Sequence, residues 1–361
     1  MRPTGKTTKY NIVADYLKDK FEKFDIRMGE RIPTEHALMK KFNVSRHTVR
    51  QSLQILENQG YISRQQGRGT FCTYSPKIKK TNNNIGIITT YISEYIFPSI
   101  IRGIDSILSN LGYNLVLYNT NNKKDLERSV LKNIINSDMS GLIIEPTSSA
   151  LENTNLDLYR AIENLNIPYI LINSIYEELD VPYIIMDDEL GGYTLTNYAI
   201  NLGHKRISGI FKKDDLQGVN RKKGFIAALK KANISNPHIG EYTTDNKFIY
   251  PYNYTKYLLD LKNPPTAIVC YNDEIAFSVI KAIKDKGLNI PKDISVLGYD
   301  DAQLSTTSSI ELTTIRHPQE EMGIRAARYI VDIIEKKSEV SPYIYKPELI
   351  VRNSVMPIVN Y

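Results

Sequence analysis

The sequence predicts an α/β protein that begins with a small winged helix-turn-helix and continues as a larger, two-lobed domain with parallel sheets. Three observations support this prediction. Residues 1–74 combine helical periodicity with a short hairpin, later residues alternate β-branched runs with helical stretches, and the positive charge is confined to the N-terminal part. A chain of 361 residues is long enough for two to three domains.

The N-terminal part, called the head, contains three helical segments and two short extended runs. The helices are expected at residues 10–24, 34–42 and 45–59, and the extended runs at 61–65 and 70–73. Thr34 and Ser45 stand where an N-cap hydroxyl would accept from free helix N–H groups. Three helices followed by a small hairpin indicate a winged helix-turn-helix.

A polar, basic segment without apolar periodicity follows the head. It occupies residues 75–84 and ends at the apolar run Ile85-Gly86-Ile87-Ile88. This composition predicts a linker between domains. Residues 85–361 are expected to form the larger domain.

Beyond the linker, short β-branched runs alternate with helical stretches. The runs lie at residues 85–88, 115–118, 141–144, 169–172, 207–211, 267–271 and 295–299. Such alternation predicts βαβ units and parallel sheets covered by helices on both faces. Because this part is large for a single sheet, we expect two similar lobes.

The net charge of +6 is unevenly distributed. Residues 1–80 carry a net charge of +10, whereas residues 81–361 carry −4. A positive charge confined to one segment is typical of a protein that contacts a polyanion. A solvated, lysine-rich surface would give the same charge, so the charge alone does not decide between the two.

Composition and cysteine usage exclude several classes of protein. Hydrophobic residues make up 42% and charged residues 24%, as in ordinary globular proteins. No apolar stretch reaches the ~18 residues that span a bilayer, and the N-terminus lacks the apolar core of a secretory signal. We therefore expect no membrane partner and a cytoplasmic location. Cys72 and Cys270 are far apart and have no metal-ligand spacing, so neither a disulfide framework nor a metal site is expected.

The third predicted helix has two distinct faces. At about 100° per residue, Val49 and Leu53 fall on one face, and Arg46, His47 and Arg50 fall on the neighbouring face. Arg46, near the helix N-terminus, is placed for bidentate donation to a guanine edge. Arg50 lies one turn later, where it reaches a base or a phosphate. This arrangement predicts a helix that reads DNA in the major groove.

The hairpin tip has the sequence Gln66-Gly67-Arg68-Gly69-Thr70. Arg68 stands between two glycines, which allow the backbone to come close to the minor groove or to phosphates. The alternative is an ordinary hairpin beside a solvated basic helix. The ordered sequence of cap, turn, two-faced helix and wing favours DNA binding.

Four motifs in the head resemble the winged helix of the GntR family. They are Ile32-Pro33-Thr34-Glu35-His36-Ala37-Leu38, Asn43-Val44-Ser45-Arg46-His47-Thr48-Val49-Arg50, Leu56-Glu57-Asn58-Gln59-Gly60-Tyr61-Ile62 and Gln66-Gly67-Arg68-Gly69-Thr70-Phe71. The resemblance implies that the residues facing double-stranded DNA are Glu35, Arg46, His47, Arg50, Gln66 and Gly67. Ser45, at the helix N-cap, and Arg68, at the hairpin tip, complete the expected DNA-binding set.

Glu35 is an acidic residue on a surface expected to face DNA. It has three interpretations: it accepts from a cytosine amino group, it orients Arg46, or it is only a favourable charge at a helix N-terminus. The sequence leaves these alternatives open.

Further motifs are spread over residues 81–361. They are Asp187-Asp188-Glu189-Leu190-Gly191-Gly192, Leu202-Gly203-His204-Lys205-Arg206-Ile207, Arg221-Lys222-Lys223-Gly224-Phe225, Pro265-Thr266-Ala267-Ile268-Val269-Cys270-Tyr271-Asn272-Asp273-Glu274-Ile275-Ala276 and Val296-Leu297-Gly298-Tyr299-Asp300-Asp301. They resemble the effector domain of the lactose/galactose repressors, which is itself similar to periplasmic sugar-binding proteins. A GntR-type head joined to such a domain is similar to the arabinose-responsive repressors of Gram-positive bacteria, and the segments 141–148, 211–219 and 312–318 support this resemblance.

Polar residues at the ends of apolar runs are the candidate ligand residues. Glu145, Asn272 and Asp300 follow or end such runs, where open α/β sheets bind ligands. Carboxylates, an amide and Arg221 match the hydroxyls of a pentose, which both donate and accept.

The resemblance implies further roles in the same site. Asp187, Arg221, Asn272 and Asp300 should contact a sugar, His317 should replace the usual glutamine, and Phe97 should line the mouth. Tyr91 and Glu145 are added to this set because both lie at strand ends and because of the resemblance to arabinose-responsive repressors. Asp273 is expected only to cap the following helix.

Together these observations predict a transcriptional repressor that a small sugar, L-arabinose, releases from its operator. The expected species is a homodimer, formed through the sensor lobes, on a pseudo-palindromic operator, with no cofactor. The lobes are expected to close about crossovers near residues 186–189 and 316–319. A regulator, either an activator or a repressor, that senses another sugar or a purine remains an alternative. An enzyme is the least supported alternative, because phosphate-loop, zinc-hydrolase and serine-hydrolase motifs are absent from the sequence.

Overall fold

The computed structural model describes residues 9–22, 25–26, 28–65, 68–74, 83–93, 95–306 and 310–358. They form two compact units, one before residue 80 and one after it, and each is described by itself. In the part of the chain so described, no helix is long and apolar enough to cross a membrane. The predicted linker falls mostly on residues 75–82, outside the described ranges, and its last residue already begins a strand.

The first unit contains three helices and an antiparallel hairpin. Its elements are α1 (Lys9–Glu22), α2 (Glu35–Phe42), α3 (Arg46–Asn58), β1 (Ile62–Gln65) and β2 (Gly69–Cys72). In the hairpin, Ile62 pairs with Cys72 and Gln65 with Gly69. The predicted winged helix-turn-helix is confirmed, with every element boundary within two residues of the expected one.

Hydroxyl caps start α2 and α3. Thr34 Oγ1 accepts from the Ala37 N–H at 3.2 Å, and Ser45 Oγ accepts from the Thr48 N–H at 3.3 Å. Asn43 ends α2 with a φ of 50°, a left-handed conformation that asparagine tolerates better than most residues. The turn between α2 and α3 is therefore short, which orients α3 against α1 and α2.

The head core lies where the three helices meet. The predicted apolar face of α3 is buried through Val49, Leu53 and Leu56, which are at most 2% exposed. Leu17 of α1 and Leu38 of α2 pack in the same cluster. Because this face is buried, the polar face of α3 remains at the surface.

The second unit has two lobes, and lobe 1 is built on a six-stranded parallel sheet. Its strands are β3 (Asn84–Thr89), β4 (Asn114–Asn119), β5 (Gly141–Ile144), β6 (Tyr169–Ile172), β7 (Tyr183–Met186) and β13 (Tyr343–Tyr345), in the order β13-β7-β6-β5-β3-β4. Its helices are α4 (Phe97–Leu108), α5 (Lys124–Ile135), α6 (Leu156–Asn164) and α11 (Gln319–Glu335). Ile87, Ile143 and Ile170 of the sheet pack with Ile100 of α4 and Met322 of α11 in one core.

Lobe 2 is built on a four-stranded parallel sheet. Its elements are α7 (Asp188–Asn201), β8 (Ile207–Lys212), α8 (Leu216–Lys231), β9 (Ile239–Tyr242), α9 (Tyr250–Leu259), β10 (Ala267–Cys270), α10 (Asp273–Asp285), β11 (Ser295–Leu297), β12 (Thr314–Arg316) and β14 (Glu348–Ile350). The sheet order is β11-β10-β8-β9, and β12 pairs with β14 in a separate antiparallel ribbon. The predicted pair of parallel, helix-covered sheets is confirmed.

Three segments of the described chain pass between the lobes. The first joins β7 to α7 and the second joins β12 to α11, at the two places expected. The third joins β13 to β14 and was not predicted, because these strands are only three residues long and lack a buried apolar run. The two lobes are therefore connected by short segments that pass beside one another.

Candidate functional site

The polar face of α3 presents two arginines that share one carboxylate. Arg46 Nε lies 3.0 Å from Glu35 Oε2, and Arg50 Nε lies 3.2 Å from Glu35 Oε1. Burial opposes the charged form of Glu35, but the hydrogen bonds from Arg46 and Arg50 outweigh it and lower the pKa of this carboxyl. Of the three interpretations of Glu35, the geometry agrees with the one in which it orients an arginine.

The arginine side chains remain open to solvent. Arg46 is 65% and Arg50 is 55% exposed, so their ion pairs with Glu35 are worth at most about 1 kcal/mol and yield readily to a stronger acceptor. His47 on the same helix and Arg68 at the hairpin are also exposed, and Ser45 serves as the helix cap. Gln66 and Gly67, also expected at DNA, lie outside the described residues.

A cleft lies between the two lobes of the second unit. It contains about 740 Å³ of space free of protein atoms, a volume that includes open solvent at its mouth. Side chains of both lobes line it. The predicted ligand residues in this lining are Tyr91, Phe97, Glu145, Arg221, Asn272 and Asp300.

The cleft occurs where each sheet reverses its strand order. In lobe 1, β3 has β4 on one side and β5 on the other, and Glu145 directly follows β5. In lobe 2, β8 lies between β9 and β10, and Asn272 follows β10. Carboxyl ends of parallel strands at such reversals are the usual ligand sites of open α/β sheets. Glu145 and Asn272 therefore lie on the edges of the two sheets that face the cleft.

Arg221 is the most extensively bonded side chain of the cleft. Its three nitrogens donate to Asp188 Oδ1 at 2.8 Å, to the Tyr271 carbonyl at 2.8 Å and to Asp300 Oδ1 at 3.1 Å. Its guanidinium also lies 3.6 Å from the centre of the Tyr299 ring. Burial alone would lower the pKa of Arg221, but the carboxylates of Asp300 and Asp188 keep it well above the usual value. Arg221 is thus a fixed cation in lobe 2.

Glu145 provides an acceptor on the opposite side of the cleft. Its Oε2 accepts from the Thr90 N–H at 2.8 Å and from the Thr90 hydroxyl at 2.7 Å, and its Oε1 accepts from Asn173 Nδ2 at 3.0 Å. Burial raises the pKa of this carboxyl in spite of those hydrogen bonds. The side chain is therefore held in one orientation at the end of β5.

Several residues that line the cleft were not predicted from the sequence, among them Lys212, Asp215 and Tyr271. Lys212 ends β8 and lies 2.9 Å from Asp215 Oδ2, which also accepts from the Tyr271 hydroxyl at 2.8 Å. Burial would lower the pKa of Lys212, but Asp215 and Asp214 raise it, so it is a second fixed cation. Lys212 ends an apolar run in the same way as Glu145, so the same strand-end signal was present in the sequence.

Aromatic rings form the mouth of the cleft. The Tyr91 and Phe97 ring centres lie 5.8 Å apart, and Lys247 Nζ lies 4.8 Å from the centre of the Tyr91 ring. Rings placed in this way offer apolar faces to the C–H groups of a sugar. Tyr95 and Tyr271 also line the cleft.

Two predicted ligand residues lie outside the cleft lining. Asp187 caps α7, with Oδ1 accepting from the Leu190 N–H at 2.9 Å, and it is the next residue, Asp188, that holds Arg221. His317 is buried, with Nε2 3.2 Å from Asn173 Oδ1. Burial lowers the pKa of His317 to about 4.

The prediction that Asp273 caps the following helix is wrong. Asn272 is the N-cap of α10, since its Oδ1 accepts from the Ile275 N–H at 3.0 Å. Asp273 is instead fully buried and accepts from the Ala302 N–H at 2.9 Å and from the Thr314 hydroxyl at 2.8 Å. Its carboxylate therefore joins the loop after β11, through Ala302, to β12, through Thr314.

No cluster of histidine, cysteine and acidic side chains in the described ranges could hold a metal ion. Cys72 and Cys270 are both free thiols in buried positions, one in each unit. The cleft instead combines fixed cations, fixed carboxylates and aromatic rings, which suits a neutral polar molecule with many hydroxyls.

Family models match the two units separately. The model "Bacterial regulatory proteins, gntR family" matches residues 9–72, and "Periplasmic binding protein-like domain" matches residues 196–355. Among solved structures, the transcription regulator CcpA of Lactococcus lactis has a TM-score of 0.68 at 24% identity, over 76% of this chain and 99% of that chain. A LacI family transcriptional regulator from Enterococcus faecium, solved with bound ribose, has a TM-score of 0.67 at 25% identity, over 76% of this chain and 100% of that chain.

Two curated relatives are similar over almost the whole length. The arabinose metabolism transcriptional repressor of Geobacillus stearothermophilus is 46% identical, with 92% of this chain and 93% of the relative covered. That of Halalkalibacterium halodurans is 44% identical, with 96% of each chain covered. The chain therefore belongs to the family of the arabinose metabolism transcriptional repressors, and it is a transcriptional repressor rather than an enzyme.

Proposed function

We propose that this repressor binds a double-stranded operator and that L-arabinose releases it. The observation with the most weight is the cleft itself, in which Arg221 and Lys212 provide donors and Asp300 and Glu145 provide acceptors. A pentose presents hydroxyls that both donate and accept, so it matches such a set better than an anionic or purely apolar ligand would. The names of the two full-length relatives favour arabinose among the pentoses.

Operator recognition is assigned to the polar face of α3. We assign base contacts to Arg46 and Arg50, with Glu35 setting their direction before DNA replaces it as their partner. His47 and Ser45 are assigned to the adjoining surface of α3, and Arg68 together with Gln66 and Gly67 to the wing. The excess of positive charge in residues 1–80 adds non-specific attraction to phosphates.

The assembled repressor is proposed to be a homodimer that acts in the cytoplasm. Each head, residues 1–74, would occupy one half of a pseudo-palindromic site. A linker at 75–84 would join it to the sensor of residues 85–361, and the dimer would form through the sensors. Asp187 and His317 stay in the proposed ligand set: Asp187 caps α7 next to Asp188, and His317 is hydrogen-bonded to Asn173.

Release follows from a difference in sugar affinity between two states. To change the DNA-competent fraction from 99% to 1%, the sugar must favour the released state by roughly 10⁴-fold, or about 5.5 kcal/mol. Such a difference is feasible if the two sites of the dimer contribute together. Movement about the segments that join β7 to α7 and β12 to α11 would transmit it to the heads.

The experiment is a calorimetric titration of the full chain with L-arabinose, D-xylose, D-ribose and D-galactose. Saturable binding with L-arabinose tightest supports the proposal, and a preference for one of the other sugars would replace the effector. The Arg221→Ala variant is the matched negative control, because it removes the main donor of the cleft. Binding of a purine with none of the four sugars would contradict the assignment.

A further inference from the structure

Tyr95 extends from lobe 1 across the cleft to the main chain of lobe 2. It lies between β3 and α4, and its hydroxyl donates to the Tyr299 carbonyl at 3.0 Å. The same hydroxyl accepts from the Asp273 N–H at 3.1 Å, and that N–H also donates to the Tyr299 carbonyl at 2.9 Å. The hydroxyl therefore joins lobe 1 to the carboxyl ends of β10 and β11.

The peptide that Tyr95 holds directly precedes Asp300. Asp300 has a φ of 96°, a left-handed conformation that an aspartate keeps only where its neighbours fix it. Its N–H donates to the Ile315 carbonyl at 2.8 Å, and its carbonyl accepts from the His317 N–H at 3.2 Å. The Asp300 N–H belongs to the same peptide as the Tyr299 carbonyl, so lobe 2 holds this peptide through Ile315 and lobe 1 holds it through Tyr95.

Tyr95 is well suited to hold that peptide. Its own φ is 59°, so its backbone is constrained, and its ring lines the cleft. Burial raises the pKa of its hydroxyl well above the usual value, which keeps the donated proton in place at any physiological pH. A hydroxyl that both donates and accepts has little freedom to rotate.

We propose that Tyr95 is a positioning residue for the ligand: through the Tyr299 carbonyl it sets the direction of the Asp300 carboxylate. Ligand binding by Asp300 of lobe 2 then requires the contact from Tyr95 of lobe 1. Closure of the cleft and orientation of the Asp300 carboxylate are therefore coupled. The identity of the ligand in this inference rests on the proposed function, whereas the effect of Tyr95 on Asp300 does not.

The simpler alternative is that Tyr95 only fastens the lobes together. A second bond between the lobes offers a matched control, because Asn122 Nδ2 donates to Thr244 Oγ1 at 2.6 Å. Thr244 is not among the residues that line the cleft, although its partner Asn122 is, so a small loss of sugar affinity is expected from this variant too. Thr244→Val removes that bond and leaves the end of β11 untouched.

The first test compares sugar affinity in full-length variants by calorimetry with L-arabinose. Tyr95→Phe keeps the ring and removes the hydroxyl, and we expect its Kd to rise about tenfold, while Thr244→Val changes it less than about threefold. In an Asp300→Asn background, Tyr95→Phe should add less than about twofold, because its effect acts through that carboxylate. Equal losses in the two single variants, or full additivity with Asp300→Asn, would overturn the proposal.

The second test needs no sugar. Amide hydrogen exchange of the full chain, read by mass spectrometry, should become faster at residues 299–302 in Tyr95→Phe and stay unchanged there in Thr244→Val. Unchanged exchange in Tyr95→Phe overturns the proposal whether or not the sugar binds. Faster exchange in a protein that does not bind L-arabinose keeps the role of Tyr95 and rejects only the proposed effector.

Discussion

Arg221 and Asp300 form a buried ion pair in which Arg221 Nη2 lies 3.1 Å from Asp300 Oδ1. Both side chains are at most 4% exposed, and Arg221 is also bonded to Asp188. The pair connects α8 to the loop after β11, two elements that are far apart in the chain. Because Arg221 faces two buried carboxylates, the removal of Arg221 leaves both of them without a cation, whereas the removal of Asp300 leaves Arg221 paired with Asp188.

We predict that Arg221→Ala and Asp300→Ala each weaken L-arabinose binding by about 1–3 kcal/mol or more, because a ligand hydroxyl or a buried partner loses its match. Calorimetry measures the loss. Both variants should also stay on the operator at sugar concentrations that release the parent protein.

Unfolding temperatures distinguish a role of Arg221 and Asp300 in sugar binding from a role in maintaining the fold. Arg221→Lys keeps a cation but loses the branched geometry of guanidinium, so it should lose less stability than Arg221→Ala and still bind the sugar more weakly than the parent. A variant that binds no DNA even without sugar would show that the pair only maintains the fold. Normal release by L-arabinose in both alanine variants would reject the proposed ligand set.

Arg46→Ala should weaken specific operator binding by about 1–3 kcal/mol and leave sugar affinity unchanged, because Arg46 belongs to the head alone. Fluorescence anisotropy with operator and with random DNA of equal length measures the effect. If both DNAs lose affinity equally, Arg46 contacts a phosphate and does not read a base.

Glu35→Gln tests whether the shared carboxylate directs the arginines. The variant removes the charge that holds Arg46 and Arg50, so we expect weaker discrimination between operator and random DNA. Random DNA should itself bind more tightly, since one negative charge has been removed from the binding face. An unchanged ratio of the two affinities would assign Glu35 to the helix N-terminus only.

His317 should make stability depend on pH. Burial lowers the pKa of His317 from an ordinary value of about 6.5 to about 4. Between these two pH values the imidazole is protonated in the unfolded chain and neutral in the folded chain. The resulting stability is present above pH 6.5 and is lost as the pH falls toward 4, up to about 3 kcal/mol. Urea titrations at several pH values should show a smaller decrease for His317→Gln than for the parent, and identical curves would contradict the prediction.

The architecture was predictable where the apolar signal was strong. Seven apolar runs were enough to place strands of both sheets, and the capping hydroxyls of Thr34 and Ser45 placed the turn of the head. The missed strands β7, β9, β12, β13 and β14 are three or four residues long. Most have half-exposed positions, so their pairing depends on the neighbouring strands and not on a local pattern.

The cleft was predictable to the level of strand ends but not of single residues. Asp187 and Asp188 are adjacent in sequence, and only the start of α7 decides that the first caps the helix while the second turns toward Arg221. The roles of Asn272 and Asp273 are decided by the same kind of one-residue choice. Tyr95 gave no sequence signal, because its role depends on two elements from the other lobe.

The most direct test of the proposed mechanism is release of the full-length protein from its operator as L-arabinose is added. Anisotropy of labelled operator should decrease along a saturable curve whose midpoint follows the calorimetric sugar affinity, while Arg221→Ala stays bound over the same range. An operator complex that L-arabinose leaves intact, at concentrations that saturate the cleft, would contradict the proposal that this sugar is the signal for release.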